Sequence, residues 1–119
     1  MTVHRLKTYS GESGYVYQYY FLESQPRRRF WGPSGTAFLF HVTTDCKNFF
    51  VAEVLLEETA WQAWEKTHGR PLGEQEKYAA AKMALFQAFD ASSRPEDLLH
   101  IRVKASNIED LLAPLRLDE

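Results

Sequence analysis

The chain has 119 residues, of which 45% are hydrophobic, 14% aromatic and 25% charged, with a formal net charge of −2 at pH 7. That length suits one domain around one core, and the apolar content excludes a disordered chain. The single cysteine, Cys46, rules out an internal disulfide, and the longest apolar-rich run, FFVAEVLL, is broken by Glu53 and too short to cross a bilayer.

The opening MTVHRLKTY lacks the apolar stretch of a signal peptide, so a soluble cytoplasmic protein with no membrane contact is expected. The small net charge conceals an asymmetry. Residues 1–35 hold five basic and two acidic side chains, a net of +3, whereas residues 36–119 hold nine basic and fourteen acidic ones, a net of −5. A chain acidic over most of its length is a poor general polyanion binder, because that affinity comes from many phosphates neutralised together.

In chain order, Val, Tyr, Phe and Thr dominate the first half in runs bounded by Gly, Pro, Ser, Asn or Asp, the signature of strands. A weak strand is expected over residues 2–9 and a strong one over 15–23, joined by the SGESG turn. The stretch QPRRRFWGPSG reads as a loop or irregular edge, and further strands follow over 36–44 and 49–56 as an antiparallel hairpin. A turn centred on residues 45–48 sets Val42 opposite Val51, His41 opposite Ala52 and Phe40 opposite Glu53. In that register Phe38, Phe40, Val42, Val51 and Leu55 share one face and Leu39, Phe50, Val54 and Leu56 the other, so the sheet should be covered on both sides or face a partner.

The period then changes to helical. Glu57, Glu58 and Thr59 suit a helix N-terminus, Lys66 and His68 its end, and Gly69 and Pro71 its stop, with Trp61 and Trp64 turned inward. A longer helix runs from Gly73 or Glu74 to about Asp90, with Tyr78, Leu85, Phe86 and Phe89 along one side. After the breaker ASSRPED, LLHIRVK reads as a strand and SNIEDLL as a short capped helix that Pro114 ends or kinks. The expected fold class is α+β: an antiparallel meander of about four strands, a helical pair on one face, then a further strand and a short C-terminal helix, all within one domain of residues 1–119.

No catalytic motif, cofactor signature or metal-ligand spacing is present: the glycine-rich phosphate loop, the G-x-S-x-G elbow and H-E-x-x-H are absent, and His4, His41, His68, His100 and Cys46 are scattered. Cys46 beside Lys47 has one feature of an activated thiol, but Asp45 opposes it and no base is positioned, so an ordinary turn cysteine is the simpler reading.

Two groups of residues suggest binding. Tyr15, Tyr17, Tyr19 and Phe21 line one face of a strand, and Arg27, Arg28, Arg29, Phe30 and Trp31 follow in a loop. Aromatics and arginines are the residues that dominate protein interfaces, so the leading expectation is a small non-catalytic binding or regulatory module that holds a protein partner or a second copy of itself. The same residues resemble a single-stranded nucleic-acid reader in physical plan, which is the alternative. A Tyr-rich strand is also what ordinary sheet packing produces, and loop arginines also keep an edge soluble. A third reading is a small-molecule pocket, or a weakly marked enzyme, between sheet and helices. Its polar lining would be His41, Glu53 and Lys82, with Lys82 on the apolar side of its helix and either paired with Glu53 or bent out to water along its stem.

Overall fold

The computed structural model describes residues 5–92 and 94–117. Five strands form one sheet in chain order: β1 (Lys7–Ser10), β2 (Val16–Arg27), β3 (Gly35–Thr43), β4 (Phe50–Glu57) and β5 (His100–Val103). The first four are an antiparallel meander, and β5 joins parallel to β4. Parallel neighbours need a long crossover, which the helices α1 (Glu58–His68) and α2 (Glu74–Ala91) supply. A short α3 (Ile108–Leu112) follows β5. The expected α+β order of meander, helical pair, strand and short helix is therefore the observed one. Of the weak strand expected over 2–9, residues 2–4 lie outside the described residues.

The side chains of β2 alternate as its period of two requires, so Tyr17 and Tyr19 point to the same face as Phe40, Val42, Val54 and Leu56, all of them buried. Helix α2 covers this face. Its Ala80, Ala81 and Ala84 bring the helix close to the sheet, and Leu85 and Phe89 fill the space between them. Helix α1 contributes Trp64, and α3 closes the core with Ile108, Leu111 and Leu112. Trp61 is only half-buried, its ring lying under the Lys77 ammonium at 4.3 Å. Gly69 ends α1 with φ 69°, and its N–H donates to the Glu65 carbonyl.

The register of the β3–β4 hairpin differs from the expectation by one residue. Val42 lies opposite Phe50, His41 opposite Val51, and Phe40 opposite Ala52. The loop has an odd number of residues with Cys46 at its apex, held at φ 63°. Asp45 organises it by accepting from the N–H groups of Lys47 and Asn48, which, with the Asn48 side-chain amide, hold its carboxyl well below the usual carboxylate range. The slip moves every β4 residue to the other face. Phe38, Phe40, Val42, Ala52, Val54 and Leu56 form the helix-covered side, while Leu39, His41, Val51, Glu53 and Leu55 look away from the helices.

Strand β2 also runs further than expected. It passes a bulge between Phe21 and Glu23 and continues through Pro26 to Arg27, so the first arginine belongs to the sheet rather than to a loop.

Candidate interaction site at the β2–β3 loop

Seven residues, 28–34, connect Arg27 to its cross-strand partner Gly35. Both ends of this loop are anchored. The Glu58 N–H donates to the Ser34 carbonyl at 2.9 Å, and the Arg29 N–H to the Ser34 hydroxyl at 3.1 Å. Gly35 is required by close approach: a Cβ there would sit 2.0 Å from the Leu56 carbonyl oxygen. Arg27 fixes the strand end by reaching across the helix-free face, where its Nη2 meets Glu53 Oε1 at 2.9 Å and its Nη1 donates to Gln25.

What the anchors hold out is unusual. Phe30 is 92% exposed and Trp31 83%, with their rings edge to face at 5.4 Å. Arg28 and Arg29 flank them, both exposed, and among the described residues neither guanidinium has a carboxylate partner. An aromatic pair almost fully in water with two unpaired cations beside it contributes little to the fold, because it buries little apolar area.

The other expected contact residues are employed differently. Tyr17 and Tyr19, at 1% and 4% exposure, pack beneath α2, where Tyr17 stacks on Phe89 at 4.1 Å and Tyr19 meets Phe86 edge-on at 5.6 Å. Burial pushes both phenols up from their ordinary pKa. Phe21 packs on Tyr78 at 5.0 Å, and Tyr15 stands half out at the sheet's edge, 6.1 Å from Tyr17. The aromatic strand face is therefore mostly a core face, closed by this chain's own helix, and of the expected aromatic contact residues Phe30 and Trp31 are the most exposed, with Tyr15 half out.

The three polar groups expected to line a pocket are not brought together. His41 lies on the helix-free face, hydrogen-bonded through Nδ1 to the Tyr20 hydroxyl, with the Phe49 ring 5.6 Å away. Glu53 shares that face and meets Arg27 and His100. Lys82 is on the other side of the sheet, its ammonium 5.9 Å from the ring centroids of both Tyr78 and Phe86. Burial, with Lys7 beside it, lowers its pKa. Of the two alternatives for Lys82, pairing with Glu53 is excluded, because the register places Glu53 on the helix-free face, across the sheet from Lys82.

Two features escaped the sequence reading. Arg27, Glu53 and His100 form a relay across the helix-free face, and Arg102 Nε donates to the buried Glu57 at 2.5 Å alongside it. Parallel pairing sets His100 beside Glu53 and Arg102 beside Leu55, an adjacency that residues some fifty positions apart do not advertise. Between the loop and β5 this leaves a notch of about 190 Å³, lined by Arg29, Pro33, Glu53, Leu55, His100 and Arg102. A second concavity of about 230 Å³ lies where α1 meets α3, around Trp64, with His68 stacked on that ring at 4.1 Å and Nε2 of His68 2.8 Å from Glu109.

Cys46 is exposed, its thiol directed at the Gln18 side-chain oxygen. Among the described residues no group of three His, Cys, Asp or Glu side chains is arranged to hold a metal ion, and no helix is long and apolar enough to cross a membrane. No protein-family model matches the chain, and neither does any curated protein or solved structure.

Proposed function

We propose that this protein is a small non-catalytic binding or regulatory module that engages a protein partner through the tip of the β2–β3 loop, in the simplest case a second copy of itself. The observation that carries this reading is the exposure of Phe30 and Trp31 on a loop anchored at both ends. Exposed aromatics next to arginine are the composition of an interface hot spot, and a loop tied at both ends loses less entropy on binding. Tyr17, Tyr19 and Phe21 do not serve as this contact surface, since α2 packs on them.

Binding to single-stranded nucleic acid uses the same loop and is the competing reading. It is the weaker one because Arg27 is already committed to Glu53 and the remaining two arginines neutralise few phosphates.

Size exclusion with light scattering at about 50 and 500 mM salt, with absorbance at 260 and 280 nm, separates the two. Self-association through the loop gives a dimer at both salts, free of nucleic acid, that Phe30→Ser/Trp31→Ser reduces to monomer. A dimer that survives this variant moves the interface elsewhere, and a clean monomer at high protein concentration rules out self-association. A 260 nm signal lost at high salt overturns the reading in favour of a polyanion site.

A further inference from the structure

The underside of the same loop is a concave, cation-rich surface. Two guanidinium groups with unused hydrogen-bond donors line the notch: Arg29, which has no partner among the described residues, and Arg102, of which only Nε is engaged, by Glu57; His100, 82% exposed and facing Glu53 through Nδ1, stands at the rim. Leu55, at 5% exposure, and Pro33 supply an apolar wall. The two carboxylates nearby are already matched, Glu53 by Arg27 and His100, and Glu57 by Arg102. With these pairs neutralised, Arg29 leaves the notch net positive in a chain that is acidic over residues 36–119.

We infer that this notch accepts a carboxylate from an acidic segment of a protein partner, with Arg29 and Arg102 as the charged donors and His100 at its rim. This inference rests on the loop reading above and names the chemistry of the partner that the loop engages. Guanidinium groups suit carboxylates because their planar donors match two oxygens at once. A volume of about 190 Å³ admits one acidic side chain against Leu55, whereas a nucleic-acid strand needs a groove with cations repeated along its length. The Phe30–Trp31 tip then contacts apolar residues adjoining that carboxylate.

The test is titration of the isotope-labelled protein, followed by backbone and arginine side-chain NMR, with a blocked hexaglutamate peptide, a hexaglutamine control and oligo(dT). Saturable shifts at Arg29, His100 and Arg102 with hexaglutamate alone, weakened up to about fivefold in Arg29→Ala, are expected, since an exposed ion pair has that worth. Arg29 is exposed and binds the fold only through its backbone N–H, so the variant retains the native spectrum. Shifts at the notch from oligo(dT) but not hexaglutamate overturn the assignment in favour of phosphate, and no shift from either overturns it outright. Repetition in Phe30→Ser/Trp31→Ser separates the two readings: notch shifts that persist while the light-scattering dimer is lost support each independently, and a dimer lost with no notch response in wild type leaves the tip alone as the contact.

Discussion

The ring of Tyr17 lies flat on that of Phe89, with centroids 4.1 Å apart and planes within 8° of parallel. This contact joins the most aromatic strand to the end of the longest helix, and it determines that the Tyr-lined face of the sheet is interior. Both residues are at most 1% exposed. Tyr17→Ala or Phe89→Ala should each destabilise by about 3–5 kcal/mol, the range for removing a buried aromatic ring. A double-mutant cycle by urea unfolding should return a coupling of about 0.5–1.5 kcal/mol.

Arg102 and Glu57 make the second informative pair. The Glu57 side chain is 8% exposed and that of Arg102 46%. Arg102→Ala strands a carboxylate in the interior and should cost about 1–3 kcal/mol, whereas the doubly neutral Arg102→Leu/Glu57→Gln should recover much of that loss. Equal losses in single and double variants would show that Glu57 gains nothing from its partner.

Gly35→Ala tests the anchor of the loop. The added methyl collides with the Leu56 carbonyl and with the Glu57 backbone, so β3 and β4 must separate locally. A loss of about 1–3 kcal/mol is expected in thermal or urea unfolding, together with faster hydrogen exchange at the Glu58 N–H, which is bonded to Ser34.

Acid sensitivity should be traceable to Glu76. Both its oxygens accept from Arg70, at 3.0 and 2.9 Å, and Oε1 also takes the Gly73 N–H at 2.8 Å. Arg70 first and the Gly73 N–H second hold its carboxyl below the usual glutamate range. A depressed folded value stabilises above the unfolded one and is lost as pH falls through the folded one. The stability gap between wild type and Glu76→Gln should therefore be constant near neutrality and close progressively below about pH 4.5. With Arg70 37% exposed, the gap at pH 7 should stay below about 1 kcal/mol.

Phe30→Ser/Trp31→Ser should leave unfolding free energy within about 0.5 kcal/mol of wild type, as expected of side chains that touch little. Wild-type tryptophan fluorescence should contain one component readily quenched by iodide, from Trp31, that disappears in the variant, leaving the half-buried Trp61 and the buried Trp64.

Much of this fold was legible because local periodicities report it directly. The alternation of Tyr15, Tyr17, Tyr19 and Phe21 marks a strand, its start within a residue of the observed one though its end lies four residues further on at Arg27, and the acidic start, Ala-rich middle and Phe86 and Phe89 mark α2 to within a residue or two of its observed bounds. The register of β3 on β4 was not legible, because it depends on whether the turn holds an even or odd number of residues. Here an αL cysteine and the Asp45 carboxylate choose odd. That single residue moved Glu53 from the helix side to the open face and removed Lys82 from its reach.

The candidate site divides along the same line. By itself the sequence determined that a basic, aromatic segment, Arg27–Trp31, ends one strand and leads to the next, because composition and glycine or proline punctuation are local properties. Only the tertiary structure decided that Tyr17 and Tyr19 are core while Phe30 and Trp31 are free, that Arg27 is paired and Arg28 and Arg29 are not, and that a notch opens beside β5. Those outcomes depend on which face α2 covers and on β5 returning parallel beside β4. Burial and ion pairing are set by neighbours distant in sequence, and no local pattern encodes them.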